Sequence, residues 1–170
     1  MKKKIIVAFD SFKGCISAKD ACDAAMEGIL SVLPDANVIQ LPLSDGGEGL
    51  VERVKRMLPT VDVSLTVHGP LMQKVACEYA ISLAGMTAYM EMAAASGLTL
   101  VPEDKRNPLN TTTYGVGEMI ADAIDRGCES IVMGIGGSAT CDAGEGMLRA
   151  LQDRGYLHSQ CKFVVVVCKV

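Results

Sequence analysis

Three times in this chain an apolar run hands over to a polar, glycine-bearing loop and then to a helical pattern. The runs are Lys4 to Phe9, Asn37 to Leu43 and Ser130 to Met133, and the loops begin at Asp10, Ser44 and Gly134. Continuous apolar stretches of this length suit parallel strands covered on both faces, and each strand, loop and helix is the first part of a crossover connection. The chain is thereby directed to an α/β fold. In open α/β sheets ligands bind at the carboxyl ends of strands, so these loops are where chemistry is expected.

The remaining pattern fills in the architecture. Ser17, with Asp20 three residues on, reads as the N-cap of a helix bearing Ala21, Cys22, Ala25, Ile29 and Leu33 and stopped by Pro34. A second helix follows Gly49 through Leu50, Val51, Val54 and Met57. From Val61 the apolar period becomes two: Val61 to Val67 and Val75 to Leu83 alternate, and Thr87 to Met92 completes an antiparallel meander. Thr111 to Thr113 supply caps for a helix with Val116, Met119, Ile120, Ala123 and Ile124 on its apolar face, ended by Gly127.

The change of period predicts two lobes. Residues 1–60 form a first lobe of parallel βα units, incomplete without a further half, and residues 61–170 a mixed α/β lobe with the meander and the Gly-rich turn, itself truncated. Phe163 to Val167 reads as a last strand whose open edge favours self-association, as a homo-oligomer or an aggregate.

Composition narrows the function. With 170 residues and 49% hydrophobic content the chain can bury a core. A net charge of -4, 4% aromatic residues and no Trp argue against a nucleic-acid partner. No apolar stretch approaches membrane-spanning length. Seven cysteines without a C-x-x-C pair, and only two histidines, argue against structural zinc or a disulfide framework and for a reducing, cytoplasmic setting.

The richest stretch is Gly134 to Gly146. A strand-to-helix turn with little side-chain bulk exposes backbone amides, and Gly136 and Gly137 with the hydroxyls of Ser138 and Thr140 suit an anion; Asp142 adds a carboxylate that a plain turn does not need. Asp45 reads either as a helix cap or, with Glu48, as a magnesium ligand or proton acceptor. Glu91 stands alone among small apolar residues and is a secondary candidate, since a buried carboxylate needs a partner. Arg106 lies in a charged loop between Pro102 and Pro108, and His68 reads as structural.

Several sharper motifs are absent. There is no G-x-x-x-x-G-K-[ST], so there is no P-loop. Ser138 lacks the G-x-S-x-G context and an evident His partner, which argues against a serine hydrolase. Gly134, Gly136 and Ala139 satisfy a dinucleotide pattern, but Cys168 and Lys169 stand where an acidic ribose ligand belongs, leaving a nicotinamide-binding domain as a lesser alternative.

Val7 to Gly14, Ser44 to Gly49, Glu91 to Leu98, Asn107 to Leu109 with Thr111 to Gly117, and Gly134 to Gly146 together resemble the bacterial glycerate kinase family, in that family's order. The resemblance implies a two-lobed α/β enzyme without a P-loop, using ATP and Mg2+ to phosphorylate D-glycerate, most often to 2-phosphoglycerate. It implies Lys13 on a substrate or phosphate oxygen, Asp45 as base or metal ligand, and Asp142 as the second candidate for both roles. Asp10, Ser11 and Glu91 fall to the substrate, Gly136, Gly137, Ser138 and Thr140 to the phosphate or the glycerate carboxylate, and Arg106 to carboxylate capture. Phe9 departs from the family's Pro, Cys141 from its Asn and Ala143 from its Gly; the segment between Gly155 and Cys161 is shorter and Lys169 replaces an Asp. The resemblance thus implies an N-terminal portion with an internal deletion, and as an alternative an inactive fragment that at most binds a small anion.

Overall fold

The computed structural model describes residues 3–12, 15–43, 49–84 and 86–156 and the backbone of 162–166. The chain divides into two compact units, Met1–Asp45 and Gly46–Val170.

In the first unit β1 (Lys4–Val7) and β2 (Asn37–Gln40) pair in parallel, Lys4 opposite Asn37 and Val7 opposite Gln40, joined by α1 (Ala18–Val32). The ladder continues beyond both strands, with Leu41 N donating to Val7 O and Leu43 N to Phe9 O, each at 2.7 Å. Ser17 caps α1 as its spacing predicts, accepting from Asp20 N at 3.1 Å. Helix α1 packs on both strands and buries Val7, Ala21 and Cys22. The expected cover of β1 on both faces is not found. Alternation turns Ile6 and Ile39 away from Val7, and they are 62% and 38% exposed, because among the described residues of this unit one helix serves a sheet with two faces.

The second unit opens with α2 (Leu50–Met57), followed by β3 (Thr60–His68), β4 (Lys74–Ser82) and β5 (Thr87–Glu91). After the short α3 (Ala93–Ser96), α4 (Tyr114–Asp125) leads to β6 (Ser130–Gly134) and α5 (Glu145–Asp153) to β7 (Lys162–Val166). One five-stranded sheet results, in the order β3-β4-β5-β6-β7. Its first three strands are the predicted antiparallel meander, with Thr60 opposite Ser82 and Ala80 opposite Tyr89. Its last three are parallel, with Glu91 opposite Gly134 and Gly134 opposite Val166. The fold is α/β, with parallel pairing where the chain crosses over by a helix and antiparallel pairing where tight turns connect alternating strands.

The core of this unit is built from Val63, Val67, Tyr79, Met90, Met119, Ile120, Ile131 and Met133. Helix α2 packs on β4 and β5, and α4 packs on β3, α3 and α5. Helix α4 is buried from Gly115 to Ala121. Two glycines permit this: a Cβ at Gly115 would overlap the carbonyl oxygen of His68, and one at Gly117 that of Met147. The polar groups caught in the packing are paired. Glu118 accepts from the His68 backbone amide at 2.6 Å and lies 3.0 Å from its Nδ1, which gives His68 the structural role read from its position. The Tyr79 hydroxyl donates to Asp122 at 2.6 Å; burial and that bond push its pKa up. Among the described residues no helix is long and apolar enough to cross a membrane.

Since β3 and α4 meet with no room for a methyl group, Gly115→Ala should lower the unfolding free energy by about 1–3 kcal/mol in urea denaturation. A change within a few tenths of wild type would mean that the contact is looser than described.

Candidate functional site

The glycine run begins where β6 ends. Gly134 O accepts from Met92 N at 2.8 Å, so run and β5 leave the sheet together. The chain then turns at Gly137, whose φ of +74° favours glycine, and docks along the end of α3. Ser138 bridges Gly97; Leu98 N donates to Gly137 O at 2.9 Å and Ala139 N to Ser96 O at 2.8 Å. Thr140 N donates to Ser138 Oγ at 3.2 Å, and the two hydroxyls lie 2.8 Å apart. The amides of Gly136, Gly137 and Ser138 make no hydrogen bond to another described residue. These three N–H groups, beside two hydroxyls at the carboxyl end of a parallel strand, are donors suited to an anion.

Asp142 occupies a different position from the turn. Its Oδ2 accepts from Thr113 N and Thr113 Oγ1, both at 2.8 Å, and from Gly146 N at 3.2 Å, while Oδ1 accepts from Gly144 N at 3.1 Å. Thr113, itself buried, returns the connection by accepting from Met147 N at 2.9 Å. One carboxylate therefore serves the first turns of α4 and α5, whose amides would otherwise lack acceptors. Partial burial alone would raise the Asp142 carboxyl, but the bonds from Thr113, Gly144 and Gly146 outweigh it and hold the pKa below the usual carboxylate value. Four donors on two oxygens leave little capacity to accept a substrate proton, and Asp142 does not fit a magnesium ligand in this arrangement. Among the described residues no group of three or more His, Cys, Asp or Glu could hold a metal.

Ala143 sits at φ +52°, followed by Gly144 at +81°. The glycine that the resemblance places at 143 suits this left-handed backbone, and a Cβ there is strained.

A cleft of about 620 Å³ opens beside the knot, lined by Thr111, Thr112, Tyr114, Asp142, Gly146 and Arg149 among others. It joins the two helix N-termini to a cation, Arg149, that sequence reasoning did not single out. Thr112 and Thr113 were legible only as caps, and the cleft shows them as part of its wall and support. Gly136, Gly137, Ser138 and Thr140 do not line it.

The other candidates are placed separately. Glu91 accepts from Val51 N at 2.9 Å, at the start of α2. Arg106 is half exposed, with Nε donating to Val101 O at 3.4 Å and a loose ion pair to Glu103 at 3.8 Å. In the first unit Asp10 Oδ1 accepts from Ser11 N at 2.7 Å. Lys13 and Asp45 lie outside the described residues.

A model of the glycerate kinase family matches residues 5–160. The chain is 50% identical over 151 residues to the glycerate kinase of Bacillus subtilis strain 168, covering 89% of this chain and 40% of that protein. It is 47% identical over 148 residues to the glycerate 2-kinase of Escherichia coli K12, covering 87% of this chain and 39% of that one. The crystal structure of a protein described as glycerate kinase 2 from Salmonella typhimurium LT2 superposes with a TM-score of 0.67 at 46% identity, over 89% of this chain and 40% of that chain. The chain thus spans about two fifths of the length of these relatives.

Two stability measurements test the knot. Because the folded pKa of Asp142 lies below its unfolded value of about 3.9, its charge contributes stability above that value, lost as pH falls through the folded pKa. Asp142→Asn should therefore cost about 1–3 kcal/mol at pH 7 in urea denaturation, and the gap to wild type should narrow below about pH 4. A gap that stays constant from pH 7 to pH 3 would contradict this. Ala143→Gly should raise the unfolding free energy by roughly 0.5–1 kcal/mol through relief of the left-handed strain, and a loss of stability would count against it.

Proposed function

The chain belongs to the glycerate kinase family, and from that membership we propose that it serves the ATP-dependent phosphorylation of D-glycerate to 2-phosphoglycerate. The observation that carries the reading is the set of Gly136, Gly137 and Ser138 amides at the carboxyl end of β6, which find no partner among the described residues. Phosphoryl transfer asks a protein mainly for positioning and for donors where negative charge accumulates. In this reading the three amides, with Ser138 and Thr140 hydroxyls, hold a phosphate or the glycerate carboxylate. Magnesium is proposed to arrive with ATP, whose phosphate charge it neutralises.

The base role falls to Asp45, because Asp142 is occupied with the amides and hydroxyl that organise α4 and α5. Lys13 is assigned to a phosphate or substrate oxygen, and Asp10 and Ser11 to the substrate. Arg106, half exposed and only loosely paired, remains available for a carboxylate. A second reading, in which this chain binds the anion without turning it over, draws on the same amides and hydroxyls, since such donors hold an anion without any base.

A coupled assay of ADP release with ATP, magnesium and D-glycerate separates the two. Glycerate-dependent ADP formation is expected on the first reading, with 31P NMR identifying the phosphorylated hydroxyl. Asp45→Asn should lower turnover on the order of 100-fold or more. ADP formation indifferent to glycerate would remove the kinase assignment, whereas saturable D-glycerate binding by calorimetry without ADP release would support the second reading.

A further inference from the structure

We propose that Glu91 is a positioning residue, whose hydrogen bond to the Val51 amide anchors the start of α2, the helix that follows Asp45 in the sequence. The inference rests on the reading of Asp45 as the base.

Three observations lead to it. Helix α2 begins at a residue that cannot cap it: Gly49 has φ +95°, and no side chain there accepts from the first turn. An acceptor for its first turn comes from 40 residues away in sequence, where Glu91 Oε1 receives Val51 N at 2.9 Å. A carboxylate is the favoured group at that position, since it answers both an orphan amide and the positive end of the helix dipole. Glu91 is also the last residue of β5 and pairs in register with Gly134, the first residue of the glycine run. Val51 follows Asp45 by six positions. Glu91 thus fixes the entry to α2 against the strand end from which the Gly136, Gly137 and Ser138 amides are presented.

The chemistry favours this role over direct contact with substrate. Glycerate offers a carboxylate only its hydroxyls, and its own carboxylate, like a phosphate, repels one. A carboxylate held by a helix amide instead has its charge compensated. Loss of the anchor frees the start of α2, whose first residue follows Asp45 by five positions in the sequence, and small misplacements of a reacting group cost rate rather than affinity.

Glu91→Ala and Glu91→Gln distinguish the roles when hydrogen exchange and steady-state kinetics are measured on the same chain. Ala should raise exchange at the Val51 amide by about tenfold or more, and lower kcat by about tenfold or more with the KM for D-glycerate changed less than about twofold. Gln keeps an oxygen that can accept from Val51, and should restore both quantities to within about threefold of wild type. Unchanged Val51 exchange in Glu91→Ala would overturn the anchor. A KM for D-glycerate raised equally by both substitutions would make Glu91 a substrate ligand and overturn the proposal. If wild type shows no glycerate-dependent ADP release, the kinase reading fails by itself, and the exchange of Val51 in the two variants still decides whether Glu91 holds α2.

Discussion

One carboxylate holds the candidate site in its shape. Asp142 collects amide protons from both α4 and α5 together with the Thr113 hydroxyl, so two helix N-termini are satisfied by a single side chain. Helix ends buried without acceptors are costly, and two of them meeting in one place would repel through their aligned dipoles. Negative charge at that meeting point removes both difficulties. The low pKa of Asp142 is the electrostatic record of the same bonds.

The knot works only because the backbones come close. Gly115 lies against the carbonyl of His68, Gly117 against that of Met147, and a Cβ at Gly146 would press on the Tyr114 amide and the Asp142 carboxylate. Glu118 and Asp122 then pair with His68 and Tyr79 from the same helix. Helix α4 is thus the rigid body to which sheet, glycine run and α5 are all referred. Rigidity here leaves the Gly136 to Ser138 turn fastened on its flanks through Ser96 and Leu98, while its own amides take no partner among the described residues.

This divides the acidic residues by task. A carboxylate saturated with donors organises structure, and one with open lone pairs can take a proton. Asp142 and Glu91 both receive amides at helix starts, α5 and α2 respectively. The residues with the strongest chemical character in the sequence are therefore, in part, the ones that hold the backbone donors in place.

The sequence alone determined the order of elements, their types and most of their ends. Apolar runs, a switch to period two, and the cap at Ser17 act over a few residues, and spacing records such local physics directly. The glycine run was legible for the same reason, as a strand-to-helix turn. Partners distant in the chain were not. Thr113 reaches Asp142 across 29 positions and Val51 reaches Glu91 across 40, and nothing in the spacing of either carboxylate shows whether its lone pairs are open or filled. Ala143 reads as an ordinary small residue until its positive φ is known. Ile6 and Ile39 read as covered on the strength of a continuous apolar run, yet cover depends on which helices pack there. Tertiary structure decided these points because hydrogen-bond capacity and burial are properties of what surrounds a side chain in space, and periodicity describes only its neighbours along the chain.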